Sequence, residues 1–245
     1  MNIAGSVVIV TGASMGIGLS TARALAAKGA KVALAARSTE LLKKLESEIP
    51  NSFAVTVDMN DWDSVRAMVQ TVHAHYGRID GLVNNAGRAY EATIEQIDPD
   101  VFEQIFRLNV LSVVVATQAV IPIMRAQGGG AIVNINSGTS FMRIPGYSVY
   151  SSSKRALIGI SFTAREELAK DGIVVGQVYP GMTATNFGVN KVVADEEKGA
   201  SGNGPVRDYT KGDSPEAVAD LIVKALEEGE AEYFMHERMR TMENR

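Results

Sequence analysis

The hydrophobic positions follow two alternating periods. Short runs of β-branched and small apolar residues recur at Ser6–Thr11, Lys31–Ala36, Phe53–Val57, Asp80–Val83, Ala131–Asn136, Ile173–Tyr179 and Ala231–Met235. Runs of this length and composition suit strands buried on both faces. Between them lie segments of helical spacing: Ile17–Lys28, Thr39–Glu48, Asp61–Tyr76, a long one from Asp98 to Arg125 expected to carry a break or bend, Val149–Lys170 and Pro215–Glu228. Their ends carry start and stop signals. Gly29, Gly77 and Gly229 follow three of them, and Asp98-Pro99 and Ser214-Pro215 each set a capping side chain before a proline. Strands alternating with helices from end to end predict an α/β fold, a parallel sheet of about seven strands with helices on both faces, in a single domain over residues 1–245.

One stretch breaks the pattern. From Asn186 to Asp213 the chain holds Gly188, Gly199, Gly202 and Gly204 among its glycines, several charges and few apolar anchors. A long unpatterned segment inside one domain predicts a mobile substrate lid at about 186–213. Composition adds exclusions. Hydrophobic residues make up 46% and charged residues 21%, and the net charge of −4 is dispersed, so no basic surface is offered to nucleic acid. Without cysteine there is no disulfide and no thiolate metal site, and His73, His75 and His236 do not cluster with carboxylates, so no metal is expected. His73 and His75 are expected to be solvated. The N-terminus, MNIAGSVVIVTG, has no basic n-region, and no segment approaches about 18 uninterrupted apolar residues. The expectations are cytoplasmic residence and no membrane partner.

The polar markers fall at strand ends. After the first strand comes TGASMGIG, with Gly12, Gly16 and Gly18, and then a helix. Glycines allow close backbone approach, and a helix N-terminus offers N–H groups and a positive dipole end to a pyrophosphate. A tight turn without ligand is the plainer alternative. After the second strand, Ala36 offers no acceptor for a ribose hydroxyl, whereas Arg37 suits the 2′-phosphate of NADP; a solvated Arg at a loop edge is the plainer alternative. Asp58, beside Met59, ends the third strand and can take an adenine amine or cap the next helix. Asn85, Ala86 and Gly87 end the fourth. Ser137 ends the fifth, and Pro180, Gly181, Thr183 and Thr185 follow the sixth. Ligands of such sheets bind outside the carboxyl ends of the strands, so this coincidence carries more weight than any one motif.

Chemistry is expected between Ser137 and Lys154. A helix beginning near Val149 would set Tyr150 and Lys154 on one face at i, i+4. A cation near a phenol favours the phenolate and lowers its pKa from about 10, which gives a group that exchanges a proton near neutral pH. Ser137 can hydrogen-bond the same substrate oxygen. Asn109, a polar amide flanked by Leu108, Val110 and Leu111, calls for a buried partner.

Taken in order, TGASMGIG, NNAG, Asn109, Ser137, Tyr-x-x-x-Lys and PG-x-x-x-T closely resemble the short-chain dehydrogenase/reductase family in its form of about 250 residues, over nearly the whole chain. The resemblance implies a Rossmann-type doubly wound sheet, NADP(H) as cofactor, and hydride transfer to or from a carbonyl. It implies that Gly12, Ser14, Met15, Gly16, Ile17 and Gly18 form the cofactor loop and that Arg37 and Ser38 select NADP. Asp58 and Met59 match the adenine contact; Asn85, Ala86 and Gly87 match the ribose-side turn. Asn109, Ser137, Tyr150 and Lys154 match the catalytic tetrad, Tyr150 as general acid/base and Lys154 also holding the nicotinamide ribose. Pro180, Gly181, Thr183 and Thr185 match the loop at the carboxamide. A homo-oligomer, dimer or tetramer, and a small apolar or aromatic carbonyl or alcohol substrate are expected, with Tyr90, Met142, Tyr147, Met182 and Phe187 as candidate pocket walls. Three departures stand out. Met15 replaces a frequent basic residue, Asn136 replaces a more usual Ser, and the C-terminus lacks the Val-Asp-Gly-Gly ending of many acyl-carrier-protein reductases. A non-catalytic NADP-binding sensor or scaffold on the same fold is the alternative.

Overall fold

Val7–Thr11 (β1) is buried along its whole length, and its side chains divide by parity. Val8 and Val10 join one apolar cluster, Val7 and Ile9 the other. That period-two split is what a strand covered on both faces requires. The structure, a computed structural model, describes residues 1–188, 190–194 and 212–242. Val189 and 195–211, most of the expected lid, lie outside the described residues.

The remaining strands are β2 (Lys31–Ala36), β3 (Ser52–Thr56), β4 (Gly81–Asn84), β5 (Tyr90–Glu91), β6 (Gly130–Ile135), β7 (Ile173–Tyr179), β8 (Val192–Val193) and β9 (Glu232–Phe234). Seven of them form one parallel sheet in the order β3-β2-β1-β4-β6-β7-β9. All seven predicted strands are in it. Helices α1 (Gly16–Ala27), α2 (Thr39–Glu48) and α7 (Pro215–Glu228) cover one face, through Leu25, Leu42, Ile222 and Leu226. The other face takes α3 (Trp62–Tyr76), α5 (Ser112–Ala126) and the end of α6 (Ser148–Leu168), through Met68, Val120, Met124 and Leu168. The doubly wound, single-domain architecture is as expected.

The caps at Asp98, Ser214, Gly77 and Gly229 are built as the sequence suggests. Asp61, Asp98 and Ser214 accept backbone N–H groups at three helix starts, and Gly77 and Gly229 end two helices in the left-handed conformation. Asp58 does not cap α3; Asp61 does, while Asp58 accepts from the Asn60 amide at 2.9 Å. His75 is exposed as expected, with its ring stacked on Phe53 at 3.9 Å, whereas His73 is half-buried.

The long apolar helix is broken as predicted, and the break has a defined form. It runs as α4 (Pro99–Phe106), a wide π turn over Arg107–Leu111, and α5. By length and composition alone, Pro99–Ala126 reaches the hydropathy of a membrane span, a mean of 1.6 over its most apolar window. Counting only uninterrupted apolar residues overlooked it, because Ser112, Thr117 and Gln118 interrupt the run. Its inner stripe, Val113, Ala116, Val120 and Met124, is buried in the core. A second, unpredicted sheet pairs β5 with β8 in parallel, Tyr90 opposite Val192 and Glu91 opposite Val193.

In the main sheet, β1 lies between β2 and β4, so successive crossovers wind in opposite directions from β1. This switch point opens a crevice at the strands' carboxyl ends.

Candidate active site

A cavity of about 990 Å³ fills that crevice. Of the residues expected to hold cofactor, every one but Gly18 lines it, as do Ser137, Tyr150 and Lys154. Gly18 has a different task. A Cβ there would stand 2.3 Å from the Gly12 carbonyl oxygen and 2.5 Å from Asn85 Nδ2, so its lack of a side chain lets α1 abut the turn. Gly12 and Gly16 take φ values of +68° and +54°, which favour glycine. Met15 precedes α1 without a side-chain cap, and the first turn carries no acidic residue. The N–H groups of that turn are therefore available to an external anion at the positive end of the helix. Backbone cradle, helix end and shape together fit a dinucleotide pyrophosphate.

A clasp that was not foreseen holds the cradle. Thr11 Oγ1 accepts from the amides of Asn85 and Ala86, each at 3.0 Å, and Asn85 Nδ2 donates back to the Thr11 carbonyl at 2.8 Å. The Asn85 side chain thus joins the ends of β1 and β4. A Thr at the last position of an apolar strand, before a glycine turn, was the available signal.

The four residues expected to be catalytic come from three places: Asn109 from the π turn, Ser137 from the turn after β6, and Tyr150 and Lys154 from α6. Lys154 is buried in α6, and its ammonium donates to the Ile135 carbonyl at 2.8 Å and lies 6.0 Å from the Tyr150 ring centre. Burial disfavours the cation and lowers the Lys154 pKa from 10.5 to about 8. Asn109 is fully buried in the π turn and does not line the cavity. Its Oδ1 accepts from the Arg88 amide at 2.9 Å, while its Nδ2 donates to the Arg88 carbonyl and to Ser153 Oγ, both at 3.0 Å. Ser153 in turn donates to the Tyr150 carbonyl at 2.7 Å, so the amide clamps the post-β4 turn to the first turns of α6. Gly87 completes the group, since a Cβ there would come within 3.1 Å of Asn109 Oδ1 and 3.6 Å of Lys154 Nζ. Ser137 Oγ accepts from Thr139 Oγ1 at 2.9 Å and from the Thr139 amide at 3.2 Å. Asn136 fixes that turn through Ser140 and the Ser137 amide and donates to Gln177.

A family model for short chain dehydrogenases matches residues 6–196. The chain belongs to the short-chain dehydrogenase/reductase family. It is 35% identical over 198 residues to mouse "Dehydrogenase/reductase SDR family member 7B", covering 78% of this chain and 61% of the mouse protein. It is 33% identical over 227 residues to the 3-oxoacyl-[acyl-carrier-protein] reductase FabG of Thermotoga maritima, covering 91% of each. The solved structure of a short-chain dehydrogenase from Streptomyces avermitilis superposes with a TM-score of 0.87 at 33% identity, over 98% of this chain and 91% of that one. The chain is accordingly an oxidoreductase of this family, and a nicotinamide dinucleotide is the cofactor the cradle serves.

In this short-chain dehydrogenase/reductase the far end of the cavity is apolar. Met142, Tyr147, Met182 and Phe187 line it as expected, and the Phe187 ring lies 5.7 Å from that of Tyr150. Tyr90 does not. It is fully buried, accepts from the Asp98 amide at 3.1 Å and is a core residue, because its hydroxyl anchors the start of α4. The C-terminal tail supplies walls that sequence reasoning missed. A tight turn over Glu237–Met242 brings Arg238, Met239 and Met242 to the cavity, and Met239 packs so closely on Gly138 that a Cβ there would stand 2.9 Å from its methyl carbon. The i, i+3 spacing of the two methionines in a basic tail was the signal. The nicotinamide-side loop reaches back to the glycine turn, where a Cβ on Gly16 would meet Thr185 at 3.3 Å.

Proposed function

We propose that the chain is an NADP(H)-dependent carbonyl reductase that also runs in reverse as an alcohol dehydrogenase, with Ser137, Tyr150 and Lys154 as its catalytic group and Asn109, expected among them, as a positioning residue. The observation that carries this is the convergence of Tyr150, the buried Lys154 ammonium and Ser137 on one cavity that also holds the glycine cradle. The bound nicotinamide supplies or accepts the hydride. Tyr150 gives a proton to the carbonyl oxygen, or takes one from the alcohol. Lys154 favours the phenolate and holds the nicotinamide ribose. Ser137 positions the oxygen and steadies its developing charge. Asn109 acts through position: it fixes Arg88, and through Ser153 the backbone at Tyr150.

The NADP preference rests on Arg37 and Ser38, exposed at the end of β2 where no carboxylate stands to take ribose hydroxyls. The substrate is a small apolar or aromatic ketone or aldehyde, a class suggested by the methionine and aromatic walls. The name of the Thermotoga relative is compatible with the reaction type, since a 3-oxoacyl group carries a ketone. NADPH oxidation at 340 nm against a panel of such carbonyls, with NADH in parallel, tests the proposal. Arg37→Asp is expected to raise the Kd for NADPH at least about tenfold and to leave NADH within about threefold, the loss of a guanidinium–phosphate pair. Equal losses would remove Arg37 from cofactor selection. Turnover of no carbonyl would favour a non-catalytic NADP-binding sensor.

The outer face of α5 and α6 supports a homo-oligomer. Val114, Ile121 and Ile160 line a shallow depression of about 440 Å³ there, and apolar surface of this kind is commonly covered by a partner. Sedimentation is expected to show more than one chain per particle; a monomer at micromolar concentration would refute it.

A further inference from the structure

Glu91 is a carboxylate that the proposed reaction does not use, yet only 9% of its surface is exposed. A buried charge of this kind persists only when it is paired and hydrogen-bonded. One partner, Tyr147, lines the cavity, and the other, Lys191, stands between Asn190 and Val192, which line it. The Tyr147 hydroxyl donates to Glu91 Oε2 at 3.2 Å, and the Lys191 ammonium meets the same oxygen. Lys191, with a side chain only 19% exposed, stands just before β8. From there Val192 N donates to the Ala89 carbonyl at 2.9 Å and Ala194 N to the Glu91 carbonyl at 3.1 Å. On the other side, Tyr147 opens α6 and sets its ring at 79° to that of Tyr150, 6.5 Å between centres. Gly146, at φ +82°, approaches so closely that a Cβ would touch Glu91 Cγ at 3.4 Å, and its carbonyl accepts from the Ala92 amide at 2.9 Å. One carboxylate therefore ties two segments separated by over forty residues of sequence to a single short strand.

We propose that Glu91 is the positioning residue of the carbonyl site. Its charge pins residues 190–194 along one edge of the opening through Lys191. Its oxygen holds Tyr147 against Tyr150, with the hydroxyl committed to Glu91 and the ring left to face substrate. A hydrogen-bond donor at Tyr147 is thereby denied to the substrate, which favours an apolar or aromatic body beside the reacting carbonyl. The inference rests on the proposed function for what the site binds, and on geometry alone for what Glu91 holds.

The test uses Glu91→Gln, which keeps an acceptor for Tyr147 but removes the charge, Lys191→Met, and the two together. Each single variant is expected to raise the carbonyl KM about tenfold, the worth of one charge-assisted hydrogen bond, while the NADPH Kd stays within about twofold. The double variant is expected to be no worse than the poorer single, because the two side chains act as a unit and neither leaves the other buried and unpaired. Hydrogen exchange at the Val192 and Ala194 amides is expected to quicken at least about tenfold in every variant that lacks the pair. Unchanged exchange in all three variants would overturn the proposal, and so would losses in KM and NADPH Kd of equal size. If the unmodified protein reduces no carbonyl, the proposed function fails, and the exchange measurement still decides whether Glu91 pins the segment.

Discussion

Tyr150→Phe is expected to lower kcat for carbonyl reduction by about 10²–10⁴-fold, the range for removing a positioned acid or base. The substitution deletes one oxygen. The ring keeps its neighbours Tyr147 and Phe187, so stability is expected to change by less than about 1 kcal/mol. The cofactor cradle is built from Gly12, Gly16, the Thr11–Asn85 clasp and α1, none of which the phenol supports, so NADPH is expected to bind nearly as before. Single-turnover absorbance at 340 nm and NADPH fluorescence titration separate the two effects. A variant retaining a tenth or more of the rate, with unaltered binding, would show that the proton comes from another group.

Lys154→Met is expected to cost at least about 10² in kcat/KM, since a preorganised cation beside a phenol is an electrostatic effect of that order. It differs from the tyrosine variant in two ways. Lys154 is proposed to hold the ribose as well, so cofactor affinity is expected to fall too. The second difference is in pH. With its pKa lowered to about 8 by burial, the ammonium discharges as pH rises through about 8, so the unmodified enzyme is expected to lose its cationic assistance above that pH. The methionine variant is expected to lack this limb. Stability runs the opposite way. The unfolded chain keeps the Lys154 proton up to its ordinary value of 10.5, whereas the folded chain releases it near 8. Between those values unfolding takes up a proton, so this residue destabilises the fold most below pH 8 and least above 10.5. Denaturation midpoints measured from pH 7 to 10 are expected to show the variant's relative stability shrinking as pH rises. A constant difference would mean that Lys154 titrates alike in both states.

Much of this was legible in the sequence because the physics is local. A strand buried on both faces must be apolar along its length, as Val7–Val10 and Val32–Ala36 are. Asp98, Ser214, Gly77 and Gly229 announce helix ends because caps act within one turn. The cavity was legible because its polar markers sit where apolar strands stop. What escaped was set by distant partners. A two-residue strand has no period to read, so β5 and β8 were invisible. Glu91 in a loop reads as solvated until Lys191 and Tyr147 are brought to it. Tyr90, an aromatic just past the NNAG turn, looked like a wall, but its hydroxyl is committed to the start of α4. Met239 lies in a tail whose charges suggest fraying, and only the fold seats it on Gly138. The Asn109 amide was flagged for a buried partner; that its partners are the Arg88 backbone and Ser153 depends on the π turn.

A π turn is an α-helix with one residue more than its register requires. Between Ile105 and Val113, both buried, the extra residue is absorbed within Arg107–Leu111. Counted as chain length, the turn is a one-residue insertion confined to those five positions. A chain one residue shorter there could keep both helices only by swinging one of them about 100° around its axis, which is the angle per residue of an α-helix. Relatives that preserve the amide clamp should therefore preserve the count between α4 and α5, even where the side chains of the turn differ.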